Sequence, residues 1–77
     1  MNYLNTINHF LKGKIREKYR TQRKFCTQMR VREQTVSNWI TYYARPSYRN
    51  ARKMEELLNA PIAKLLPREK YGKITAN

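Results

Sequence analysis

The stretch Gln22–Thr41, QRKFCTQMRVREQTVSNWIT, constrains the chain more than any other part of it. Phe25, Met29, Val31, Val36 and Trp39 stand at its fourth, eighth, tenth, fifteenth and eighteenth places, and the small Cys26 stands at the fifth. Side chains three or four residues apart share one face of a helix. Two short helices joined by a tight turn need apolar side chains at these places, because they face a common core. They also need a small residue at the fifth place, where the second helix crosses close by. No proline interrupts either segment. The stretch therefore reads as two packed helices, the second over Arg32–Thr41.

The rest of the chain is helical by the same criteria. It holds only two Gly and three Pro in 77 residues, and no alternating apolar pattern runs long enough for a sheet. Leu4, Ile7, Leu11 and Ile15 draw one stripe on a first helix, which Gly13 weakens by about 1 kcal/mol relative to Ala. Lys12, Lys14, Arg16, Lys18 and Arg20 fill its other faces and its exit. Thr21 is placed to cap the second helix, and a break is expected at Arg30. Residues 41–46 form a loop, since Pro46 disfavours helix in the residue before it. Ser47 caps a fourth helix carrying Tyr48, Ala51, Met54, Leu57 and Leu58, and Asn59 tolerates the left-handed conformation that ends many helices. Pro61 suits the first position of a short fifth helix, whose Ile62, Leu65 and Leu66 face the core before Pro67 ends it. The expected architecture is all-α: a compact five-helix domain over residues 1–66 and a basic tail over 67–77. In that tail, Tyr71–Thr75 admits a short strand against a partner.

Charge narrows the partner. Seventeen Lys and Arg stand against five acids, a net charge of +12. Solubility of a small domain needs only about 2–8, so the excess points to a polyanion, DNA or RNA first. The single Cys26 and the single His9 form neither a disulfide nor a metal motif, which fits a reducing cytoplasm. No apolar run is long enough to span a membrane, and Met1–Asn5 lacks the features of a signal peptide. No cofactor, membrane or small-molecule substrate is expected. With five acids, one His and one Cys there is no paired catalytic constellation, so no enzyme is expected. Phe25, Met29 and Trp39 read as core rather than a ligand pocket, and Cys26 as a buried small residue rather than a nucleophile.

Two helices so joined are the helix-turn-helix unit, whose second helix lies in the major groove of DNA. Thr21-Gln22, Phe25-Cys26, Met29, Val31, Val36-Ser37 and Trp39 resemble the Cro/C1-type, lambda-repressor-like domain of phage and bacterial regulators. Arg45-Pro46-Ser47-Tyr48 is similar to that family's start of a fourth helix. Leu57-Leu58-Asn59-Ala60-Pro61-Ile62, followed by Leu65-Leu66, is similar to its close. The resemblance covers residues 10–66. The chain departs from the pattern in three places. Arg30 stands where the family usually has Gly, Arg32 replaces a Ser or Thr cap, and Ile40 replaces a Glu that pairs with an Arg of the first helix.

Arg32, Glu33, Gln34, Ser37 and Asn38 are the candidate base readers, and the resemblance implies all but Ser37. Gln and Asn pair with adenine, Arg with guanine, and Glu accepts from cytosine. Glu33 reads either as a cytosine contact or as a positioner of Arg32. The resemblance implies a phosphate contact for Gln22, and free N–H groups at a helix start attract an anion. Arg20, Arg23, Lys24, Thr41, Tyr42, Tyr43, Arg45 and Arg49 flank the motif as further backbone-contact candidates. The expected function is a sequence-specific, double-stranded DNA-binding regulator, a Cro/C1-type repressor binding its operator as a homodimer. Tyr42, Tyr43, Tyr48 or the fifth helix would supply the dimer contact. The competing readings are an antitoxin with a toxin partner and a non-specific nucleic-acid-coating protein. No sensing domain is expected beside a DNA-binding domain in 77 residues, so ligand control would be expected to need a partner.

Overall fold

The computed structural model describes residues 7–68. Five helices follow in order: α1 His9–Tyr19, α2 Gln22–Met29, α3 Glu33–Ile40, α4 Tyr48–Leu58 and α5 Ile62–Leu65. Among the described residues there is no strand. Leu4 of the expected first stripe, and the candidate strand Tyr71–Thr75, lie outside the described residues.

Each helix begins and ends where its local chemistry directs. The Asn8 side chain accepts from the Leu11 amide at 3.0 Å and so starts α1. Ile7, expected on the helix, therefore lies before it, although it still packs against the core. Thr21 caps α2 by accepting from the Lys24 amide, and Ser47 caps α4 by accepting from Asn50. Both satisfy a backbone donor that has no partner within its own helix. Arg32, by contrast, makes no capping bond to α3, as its departure from Ser or Thr implies. Pro61 is the cap residue of α5, with ψ 147°, and not its first helical residue. The missing side-chain cap is replaced from α4, where the Glu55 carboxylate accepts from the Ile62 amide at 3.2 Å.

α2 ends in a left-handed residue, Arg30, at φ 63° and ψ 41°. The Arg30 amide donates to the Thr27 carbonyl and the Val31 amide to the Cys26 carbonyl. This is the paired-bond ending that usually places glycine in the left-handed position. It reverses the chain so tightly that Arg30, Val31 and Arg32 alone separate α2 from α3. Asn59 ends α4 in the same backbone region, at φ 52°.

The core takes side chains from every helix: Leu11 and Ile15 from α1, Phe25, Cys26 and Met29 from α2, Val36, Trp39 and Ile40 from α3, Ala51, Met54 and Leu58 from α4, and Leu65 from α5. Burial of this apolar area is the main favourable term for a domain this small. Val31, expected in the core, packs against it while remaining partly exposed. Tyr19, at the end of α1, packs its ring on Phe25 at 5.4 Å. Among the described residues Asn8 is the buried polar one. Its amide donates to the Ile40 carbonyl at 2.7 Å and its side-chain nitrogen to the Leu65 carbonyl at 2.6 Å. One residue thus joins the start of α1 to the ends of α3 and α5.

Candidate nucleic-acid interface

The turn at Arg30–Arg32 and the buried stripe of Val36, Trp39 and Ile40 decide which face of α3 is free. Arg32, Glu33 and Gln34 are exposed, and Ser37 and Asn38 are half-buried. The five candidate base readers therefore lie on and beside one solvent-facing strip. Gln34 and Asn38, one helical turn apart, share a hydrogen bond in which the Gln34 side-chain nitrogen donates to the Asn38 oxygen at 2.9 Å.

The strip is tied to α2 by side chains. The Gln22 amide nitrogen donates to the Ser37 hydroxyl at 2.8 Å and to the Glu33 carbonyl at 3.2 Å. Arg23 Nε donates to the Glu33 carboxylate at 3.0 Å. Glu33 therefore positions Arg23 rather than Arg32, which departs from the expectation. The reason is geometric: α2 packs against α3 and brings Arg23 within reach of Glu33 in the first turn of α3. Ser37, expected as a reader, is engaged by Gln22 within the protein.

The flanking candidates divide into two groups. Arg20, Arg23 and Lys24 are exposed at the beginning of α2. Thr41, Tyr42, Tyr43, Arg45 and Arg49 follow α3 and open α4. The Thr41 hydroxyl donates to the Ser37 carbonyl, and the amides of Tyr43 and Ala44 fold back onto the Asn38 carbonyl. The loop turns at Tyr42, which has φ 65°, and this leaves Tyr43 82% exposed. Arg68 stacks over the Tyr42 ring at 3.8 Å. The sequence reading missed that contact, because nothing local relates residues so far apart in the chain. Asn8 was missed too, although an Asn three residues before Leu11 carries the signature of a helix cap.

A cleft of about 180 Å³ lies behind the start of α2. Ile15 and Ile40 form its apolar part, Thr21 and Gln22 one wall, and Lys12, Arg16 and Arg20 its cationic rim. Ile40 thus lines the cleft with Ile15, where the resemblance would place a Glu that pairs with an Arg of the first helix. Burial, and secondarily the charge of Glu33, push the Cys26 thiol above its ordinary pKa, so the reactive thiolate is disfavoured. Among the described residues no group of His, Cys, Asp and Glu is arranged to hold a metal ion. No helix among them is long and apolar enough to cross a membrane.

Comparison with protein families matches residues 11–65 to a family described as helix-turn-helix. The chain belongs to the Cro/C1-type helix-turn-helix family. It is a DNA-binding transcription regulator of that type. The match spans α2, the turn and α3 together with α4 and α5. No curated protein and no solved structure matches the chain.

Proposed function

We propose that the domain over residues 1–66 represses transcription by binding an operator as a homodimer, with α3 lying in the major groove. The observation that carries this reading is the polar strip of α3, with cationic residues on both sides. A groove about 12 Å wide admits a helix, and the exposed strip presents two amides, a guanidinium and a carboxylate together. Gln34 and Asn38 read bases, with Arg32 and Glu33 at the leading edge and Ser37 steadied behind them. Gln22, Arg20, Arg23, Lys24, Thr41, Tyr42, Tyr43, Arg45 and Arg49 hold the phosphates on either side. Such contacts set register, while the base edges set sequence. The compartment of action is a bacterial cytoplasm, on chromosomal, phage or plasmid DNA.

Selection of bound duplexes from a random pool tests this. The expected product is a two-fold symmetric site with half-sites about one helical turn apart, roughly 10–10.5 base pairs. A pool that fails to enrich any sequence, while still being bound, would show coating rather than reading.

A further inference from the structure

α1 carries its charges in two sets. Lys12 and Arg16 stand four residues apart on α1 and, with Arg20 in the turn that follows it, rim the cleft beside Gln22. Lys14 and Lys18 lie on the opposite side of the helix, where Lys14 meets Glu17 at 3.8 Å. Glu17, the acid of α1, stands on the Lys14 side of the helix and does not line the cleft. Among the described residues no acid pairs with Lys12, Arg16 or Arg20. Three cations therefore line a depression whose apolar part is Ile15 and Ile40.

We propose that this stripe is a second phosphate-binding track, in which Lys12 and Arg16 of α1 hold the backbone of one DNA strand as it leaves Gln22. The inference rests on the DNA-binding reading above and extends the footprint from the reading unit onto α1. Four helical residues advance by about 6 Å, which suits cations meeting successive phosphates along a strand. The apolar part of the cleft suits the deoxyribose between them. Continuity with Gln22 and Arg20, both lining the same cleft, commits the track to the strand already held at the start of α2.

The test compares wild type with Lys12→Ala/Arg16→Ala and with Lys14→Ala/Lys18→Ala, which removes equal charge from the other side of α1. Binding to the selected duplex and to a random duplex is measured across salt concentration, with thermal melts verifying that each variant is folded. Each lost phosphate contact lowers the slope of log K against log salt by about 0.9. The cleft variant is expected to lose about two from the slope on both duplexes, while the control variant keeps the wild-type slope. Ethylation of single phosphates is expected to interfere next to those at Gln22 in wild type and to lose that effect in the cleft variant. Unchanged slope in the cleft variant, or an equal fall in both, overturns the track while leaving the reading helix intact. Wild-type protein that binds no duplex overturns both readings.

Discussion

Among the described residues, four other than glycine hold positive φ: Arg20, Arg30, Tyr42 and Asn59. Only Asn59 belongs to a residue type that tolerates this region well. Arg20, at φ 69° and ψ −46°, turns the chain between α1 and α2 in one residue, and the Thr21 amide closes it onto the Tyr19 carbonyl at 2.7 Å. Arg30 bears the corresponding strain between α2 and α3. Its two backbone bonds do not require a side chain, so Arg30→Gly keeps them and removes the clash of Cβ with the backbone. Set against the added freedom of the unfolded glycine, the net gain is roughly 0.5–1 kcal/mol. It is read as a rise of a few degrees in Tm by calorimetry. A lowered Tm would mean that the arginine side chain contributes more than its backbone costs. This position was legible in the sequence as a turn lacking its glycine. The turn at Tyr42 was not, because it depends on the loop folding back onto Asn38.

Helices α2 and α3 act as a unit because polar side chains cross between them as well as apolar ones. The spacing of Phe25, Met29, Val36 and Trp39 specifies a shared core, and that much follows from helical periodicity. Periodicity does not say that Gln22 bridges to Ser37, or that Arg23 is the partner of Glu33. Both depend on the angle at which the helices cross. Gln22→Ala should therefore destabilise the free protein by about 1 kcal/mol, the usual net value of partly exposed hydrogen bonds. Urea unfolding without DNA measures it. An unchanged midpoint would show that Gln22 serves DNA alone and that the bridge to α3 contributes nothing in solution. The exposed Arg23–Glu33 pair should add little stability by itself; its consequence is where the guanidinium is held.

At the scale of the whole molecule, Asn8 does what no single helix can. Its amide and side chain serve α1, α3 and α5 together. Asn8→Ala leaves the Leu65 carbonyl and the Leu11 amide without their partner in a buried setting, where each unsatisfied group costs about 1–3 kcal/mol. A loss of about 2–4 kcal/mol is expected in equilibrium unfolding, with DNA affinity falling only as the folded fraction falls. Weakened binding by fully folded protein would instead make Asn8 a part of the interface. The sequence by itself determined the number and order of the helices, the caps at Thr21, Ser47 and Asn59, and the apolar face of each. These follow from short-range sterics, capping and periodicity, which act over a few residues. It also determined the kind of partner, through a charge of +12 that needs no fold to be counted. Only the tertiary structure decided which polar residues of Arg32–Thr41 stay exposed and which are drawn into hydrogen bonds with α2. Only it, too, gathered Lys12, Arg16 and Arg20 beside Gln22. Those outcomes depend on how helices cross, and a crossing is set by the packing of residues far apart in the chain.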